Sequence, residues 1–93
     1  MELSCNNIVR LKNGIVGAVT CFNGKPSVIA FKSYANPVSS YDGELNKKNS
    51  KGTDYDIEEV YDGSSVEDMG SVYSKRFNLS ELPSLWKRGE QQT

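Results

Sequence analysis

Short apolar runs separated by polar turn residues make up the first third of the chain. The dipeptides Asn13-Gly14 and Asn23-Gly24 stand ten residues apart, and each lies between two apolar runs. Asn-Gly supplies the positive φ angles of a two-residue type I′ turn, and this turn matches the twist of paired strands. We therefore predict a three-stranded antiparallel meander with strands at 8–11, 15–22 and 27–31.

The apolar periodicity stops over 33–53, a segment rich in Ser, Asn, Gly and Tyr. We predict a long loop here, and loops of this length in small domains are often functional. A mobile connection is the alternative interpretation. Tyr34 and Tyr41 favour a binding role, because aromatic side chains in polar loops often pack against a ligand or a partner.

A strand and then a helix are predicted after this loop. Residues 54–61 alternate as in a strand, with the odd-numbered residues of Tyr55–Tyr61 on one face. Neither face is cleanly apolar, so we place this strand near an edge or an interface. Ser64 and Glu67 form a capping-box pattern, and an apolar stripe at helical spacing follows, which predicts a helix over about 65–77.

The complete pattern is about five antiparallel strands and one helix. Leu85–Arg88 is the last short strand, and we expect disorder from Glu90 onward. We predict a single domain over 1–93 with its core at about 8–88. The order of elements is typical of an α+β, mainly β fold such as a small SH3-like barrel or β-roll. Gly17 inside the second strand predicts a bulge or a close backbone approach.

Charge is unevenly distributed along the chain. The net charge is −1, yet residues 54–68 hold seven acidic side chains and no basic one. The rest of the chain has five acidic and eleven basic residues. Such segregation gives either separately solvated surfaces or one acidic and one basic face. Duplex nucleic acid is disfavoured as a partner, because the acidic block would repel phosphate groups.

The composition limits the chemistry of the protein. The chain has no histidine, which removes the commonest general base and metal ligand. Cys5 and Cys21 lack the spacing of a zinc site. There is no signal-peptide pattern, and no apolar run approaches the roughly 20 residues that a membrane helix needs. We therefore expect a soluble cytoplasmic protein with reduced thiols, without enzymatic activity, metal, cofactor or membrane partner.

Basic and aromatic residues together predict a site for a small anionic ligand. Lysine and arginine form charge-assisted bonds to phosphate, and aromatic rings stack on bases. Scattered surface charge is the alternative interpretation of the basic residues, and a place in the core or an interface is the alternative for Trp86. The candidate ligand-binding residues are Tyr34, Asn36, Ser40, Tyr41, Asn46, Lys47, Arg76, Trp86 and Lys87.

Four segments of the sequence carry a resemblance to a known group of proteins. They are IVRLKNGIVGAV (8–19), SSYDGELNKKN (39–49), DYDIEEVYDG (54–63) and LWKR (85–88). Together they resemble a group of small, mostly uncharacterised proteins encoded by phages and prophages of Firmicutes, over most of residues 8–88. The resemblance implies a phage origin and no established activity.

A phage origin favours a binding function, since small phage proteins without catalytic residues often oppose host defence. Our leading hypothesis is a homo-oligomer that sequesters a nucleotide-derived immune signal in the cytoplasm of the infected bacterium. A symmetric interface would give a small domain the enclosure that a tight anion site needs. One alternative is a protein inhibitor that docks the acidic 54–68 segment on a host defence enzyme. Another is a structural or regulatory phage β-module.

Overall fold

The computed structural model describes residues 1–89, which fold around one antiparallel sheet. Six strands hydrogen-bond in the order β4-β3-β2-β1-β5-β6, so that β4 and β6 are the two edges of an open sheet. The mainly β, antiparallel prediction is confirmed, with six strands instead of five. The disorder predicted from Glu90 onward lies outside the described residues. The strands are β1 (Asn7–Leu11), β2 (Val16–Phe22), β3 (Lys25–Phe31), β4 (Ala35–Pro37), β5 (Ile57–Asp62) and β6 (Ser84–Lys87).

Both Asn-Gly dipeptides form hairpin turns, but the two turns differ. Asn23 and Gly24 have φ angles of 52° and 76°, as a type I′ turn requires. In the first hairpin only Gly14 has a positive φ, of 90°. The Gly14 amide donates to the Leu11 carbonyl at 2.9 Å, and the Leu11 amide donates to the Ile15 carbonyl at 2.9 Å. This pattern is a three-residue loop that ends in a left-handed glycine, so the type I′ prediction is wrong for this turn.

The segment 33–53 is ordered by the core and is not a structureless loop. It contains β4, which pairs with β3, and a 3-10 turn at Val38–Ser40. Tyr41 and Leu45 are buried in the core, and the Ile57 amide donates to the Leu45 carbonyl at 3.0 Å. Two isolated apolar residues make no periodic pattern, so the sequence did not indicate that they anchor this segment.

β5 contains a bulge that changes the predicted faces. Leu11 lies opposite Ile57, whereas Arg10 lies opposite Glu59, so Glu58 is an extra residue. Ile57 and Val60 consequently pack in the same core cluster. The prediction that the odd-numbered residues of this strand share one face is therefore wrong, because the bulge breaks the alternation.

The helix predicted over 65–77 is absent; its place is taken by turns and a 3-10 segment, Met69–Tyr73. The Ser64 amide bonds to the Asp62 side chain at 2.9 Å, in an arrangement different from the predicted capping box. Asp68 instead caps the amide of Gly70 at 3.0 Å. Gly70 weakens helix formation, and packing against the sheet determines the conformation. The apolar stripe does pack on the core, as Val66, Met69, Tyr73 and Phe77.

Hydrophobic side chains pack on both faces of the sheet. Ile8 and Val9 point to opposite faces, because successive side chains in a strand alternate. The Val9 cluster is completed by Leu3, Leu11, Val19, Ile29, Phe31, Tyr41, Leu45, Ile57 and Val60. The Ile8 cluster is completed by Ala18, Tyr61 and Val72. No helix among the described residues has the length and apolar character to cross a bilayer.

The aromatic ring of Phe31 packs directly over Gly17. A Cβ atom at Gly17 would lie 2.7 Å from the Phe31 ring and 2.9 Å from Ile29. The sequence predicted a bulge or a close backbone approach at Gly17, whereas the atoms that approach it belong to side chains. Only a residue without a side chain leaves room for Phe31. The Phe31 ring in turn stacks on the ring of Tyr34.

Cys5 and Cys21 form a disulfide, with their Cα atoms 5.6 Å apart. The prediction of reduced thiols is therefore wrong. It rested on the expected compartment, while the pairing depends on how the fold places the two residues. The bond attaches the segment before β1 to the end of β2, and Leu3 of that segment is buried.

Candidate functional site

A cleft between the start of β4 and the 47–55 region is the candidate site. Its volume is about 460 Å³, within the range of small-molecule sites. We call it the tyrosine cleft, and its lining residues are Tyr34, Asn36, Lys47, Asn49, Ser50 and Tyr55. Tyr34, Asn36 and Lys47 were predicted from the sequence. Asn49, Ser50 and Tyr55 were missed, although they flank the lysines and the strand that the prediction used.

The aromatic ring of Tyr34 is held in place by its neighbours. Its ring stacks on Phe31 with the centroids 4.8 Å apart and the planes 22° from parallel. The Phe31 amide donates to the Tyr34 carbonyl at 2.7 Å, which fixes the turn between β3 and β4. Phe31 is buried, whereas 38% of Tyr34 remains exposed. One face of Tyr34 thus rests on the core while part of its surface stays open to a ligand.

Lys47 is positioned through its backbone. Its amide donates to the carboxylate of Asp56 at 2.7 Å, and Lys47 forms an isolated bridge with Tyr41. Asp56 is buried, so it does not contribute to an exposed acidic surface. The side chain of Lys47 therefore lines the cleft from a fixed point of the chain.

The electrostatics of the cleft favour hydrogen-bond donation. Burial raises the pKa of Tyr34, and the nearby Tyr55 raises it further. The Tyr34 hydroxyl is therefore protonated at neutral pH and available as a donor. Lys47 adds a positive charge, and Asn36 adds an amide that both donates and accepts.

Tyr41 lies behind the cleft, in the core. It is 6% exposed, and its hydroxyl has no hydrogen-bond partner within residues 1–89. Burial raises the pKa of Tyr41, and the neighbouring Asn36 side chain opposes that shift. Tyr41 also borders a mainly apolar cavity of about 470 Å³.

Ser40 and Asn46 hold the loop through their carbonyl groups. The Ser40 carbonyl accepts a hydrogen bond from the Lys48 amide at 2.8 Å. The Asn46 carbonyl accepts one from the Asp42 amide at 3.1 Å. These bonds shape the turn that carries Lys47 into the cleft.

The remaining predicted residues lie away from the cleft lining. Trp86 packs on the Val9 cluster, with the Arg88 guanidinium carbon 5.3 Å from its ring centroid. Lys87 lies 3.8 Å from Glu59, on the edge strand at the other end of the strand order from β4. Arg76 is exposed in the chain that follows the 3-10 segment.

Most acidic residues of 54–68 have local partners. Glu59 pairs with Arg10 and accepts a hydrogen bond from the Tyr61 hydroxyl at 2.8 Å. Asp62 and Asp68 accept hydrogen bonds from nearby turn amides. Asp56 is buried, while Asp54, Glu67 and Asp68 remain exposed. Within residues 1–89, no three His, Cys, Asp or Glu side chains are grouped so that they would hold a metal ion.

Comparison with protein families, curated proteins and solved structures gives no match to this chain.

Proposed function

We propose that this protein is a non-enzymatic binding protein that holds a nucleotide-like molecule in the tyrosine cleft. The observation that supports the proposal is the pairing of a core-stacked, partly exposed Tyr34 with Tyr55 and Lys47 in one cleft. In the biological setting that the phage resemblance implies, the protein would sequester a nucleotide-derived immune signal and so counter host defence.

The aromatic residues suit a base. Stacking of a base on an aromatic side chain contributes about 1–3 kcal/mol, and a preorganised ring loses little freedom on binding. Tyr34 is held against Phe31, so its ring is already in place. Tyr55, which is 46% exposed, also lines the cleft and supplies a second aromatic surface.

The polar residues suit a sugar phosphate. Lys47 offers a charge-assisted bond to a phosphate oxygen. Asn36, Asn49 and Ser50 offer neutral donors and acceptors for the ribose and for the edge of the base. No residue of this set is an activated nucleophile, so the cleft is suited to holding a ligand unchanged.

Assembly into a homo-oligomer is part of the proposal. The cleft lies at the surface, and a second copy placed over it would exclude water and enclose the ligand. The inhibitor hypothesis has less support, because Asp56 is buried and Glu59 is paired. A structural or regulatory β-module is the outcome that would remain if no ligand binds.

The test is an NMR titration of isotopically labelled protein with the four nucleoside 5′-monophosphates, since shift changes detect even millimolar affinity. We expect saturable shifts at the Tyr34, Lys47 and Tyr55 amides with at least one nucleotide, and their loss in Tyr34→Ala. Leu85→Ala is the matched control, because Leu85 is also a large exposed apolar residue but lies on β6. Absence of saturable shifts with all four nucleotides, or equal binding by Tyr34→Ala, would contradict the proposal.

A further inference from the structure

Tyr34 borders two depressions. On one side is the tyrosine cleft, and on the other is a groove of about 520 Å³ between the first hairpin and the 72–79 segment. We call it the lysine groove, and the residues that matter in it are Ile15, Lys32, Tyr34, Lys75 and Phe77. Since Tyr34 lines both, the two depressions are neighbours separated by one aromatic side chain.

The lysine groove combines an apolar wall with two cations. Ile15 is 37% exposed and Phe77 is partly buried, so both offer apolar surface to a flat ring. Lys32 and Lys75 are exposed, within reach of a phosphate. The Tyr73 hydroxyl donates to the Ala30 carbonyl, which fastens the 72–79 segment to β3. The groove is therefore formed by elements that are held together by the fold.

Given the proposed function, on which this step rests, we infer that the ligand is a dinucleotide, with two bases joined through a phosphodiester. One base stacks on the open face of Tyr34 in the tyrosine cleft, and the other lies in the lysine groove against Ile15 and Phe77. Aromatic side chains bind successive bases of one strand in this way. Lys47 serves the phosphate on the cleft side, while Lys32 and Lys75 serve the groove side.

Tyr34 lines two depressions, which provide places for two bases. A further cavity of about 470 Å³ is not lined by Tyr34 and has a mainly apolar lining. The inference therefore separates a dinucleotide from a longer single strand, for which affinity would continue to rise with length.

The test compares calorimetric affinities for the four nucleoside 5′-monophosphates, the four 5′-phosphorylated linear homodinucleotides, the cyclised form of each, and the matching trinucleotides. We expect one dinucleotide, linear or cyclic, to bind at least about tenfold more tightly than its mononucleotide, since a second base and phosphate add contacts. Comparison of the linear with the cyclic dinucleotides shows which of the two forms the protein binds more tightly. The trinucleotide is expected to give no further gain.

The variant Lys75→Ala tests the contribution of the lysine groove to binding. It should reduce dinucleotide affinity by about tenfold and leave mononucleotide affinity unchanged, because Lys75 lies outside the tyrosine cleft. Lys25→Ala is the matched control, since Lys25 is an exposed lysine of the second hairpin. Equal affinity for mono- and dinucleotides, an unchanged Lys75→Ala, or a further gain with trinucleotides would overturn the inference alone. No binding of any of these probes would overturn the proposed function as well.

Discussion

Glu59 is held in place by Arg10, Lys87 and the hydroxyl of Tyr61. Burial acts to raise the pKa of Glu59, but the Tyr61 hydrogen bond and the Arg10 charge outweigh it and lower the pKa. Burial, together with the contact to Glu59, raises the pKa of Tyr61 to about 12. A single carboxylate thus links β1, β5 and β6 across the sheet.

A pH dependence of stability follows from this network. The pKa of Glu59 is lower in the folded protein than in the unfolded chain, so the carboxylate stabilises the fold above about pH 4.3. This contribution is lost as the pH falls through the folded-state pKa. We expect Glu59→Gln to lower the free energy of unfolding by about 1–2 kcal/mol at pH 7 and by less at pH 3.

Urea unfolding at the two pH values measures this effect. Glu67→Gln is the control, because Glu67 is an exposed acid of the same segment. A loss of stability of the same size at pH 3 and pH 7 would show that the charge of Glu59 is not its cause.

Single residues differ in how far the sequence predicts their roles. Gly17 was singled out from the sequence because a glycine inside a strand usually marks a local structural requirement. Tyr41 and Asp56 were assigned to an exposed loop and an acidic surface, whereas both are buried. Their burial depends on contacts with residues distant in sequence, such as the bond between Asp56 and the Lys47 amide.

The disulfide is the element-scale feature that most constrains the segment before β1. It joins Cys5 to Cys21 over a sequence separation of 16 residues. A crosslink that closes a loop of this size stabilises a protein by about 3 kcal/mol, chiefly by restricting the unfolded chain. We expect the double variant Cys5→Ser/Cys21→Ser to lose about that much stability in urea unfolding, with the sheet retained.

Hydrogen exchange separates local from global effects of this change. The amide of Asn6, which donates to Val19, should lose protection more than the amides within β1 and β5. Oxidised wild-type protein and wild-type protein in dithiothreitol provide the matched comparison. Equal unfolding free energies for the two forms would contradict a stabilising disulfide.

Elements were predicted well where the signals are local. The first three strands follow from Asn-Gly turns and β-branched runs, both of which act over a few residues. β4 was missed because it is three residues long and depends on pairing with β3. The prediction of a helix over 65–77 was wrong. It rested on a local capping pattern and an apolar stripe, and packing against the sheet outweighed both.

Arg88 connects the last strand to the loop that forms the cleft. Its Nε donates to the Ile57 carbonyl at 2.9 Å, and one terminal nitrogen donates to the carbonyls of Glu44 and Leu45 at 3.1 Å. The edge of the sheet at β6 is thereby joined to the segment that follows β4. Arg88 therefore holds the chain two residues before Lys47.

Arg88→Lys tests this connection, because a lysine cannot reproduce the planar fork of donors. We expect a loss of about 1–2 kcal/mol in the free energy of unfolding and faster hydrogen exchange at the Ile57 amide, which bonds to Leu45. Arg76→Lys, at an exposed arginine, is the control. Unchanged exchange at Ile57 in Arg88→Lys would contradict the role of Arg88 in holding the loop.

At the scale of the whole molecule, the sequence predicted part of the candidate site. Tyr34, Asn36 and Lys47 do lie together in the lining of the tyrosine cleft. Trp86 and Lys87 were grouped with them on chemical character alone, and the strand order separates β6 from β4. The kind of ligand that a side chain can bind is predicted from its residue type. Which side chains lie close together depends on the order of the strands in the sheet.

The central claim is that a nucleotide base stacks on the tyrosines of the cleft. Intermolecular nuclear Overhauser effects between base protons of the bound mononucleotide and aromatic protons of the protein test it most directly. We expect contacts to the rings of Tyr34 and Tyr55 and none to Trp86, which packs on the core. Contacts to Trp86 without contacts to Tyr34 would contradict the account and place the ligand at the opposite edge of the sheet.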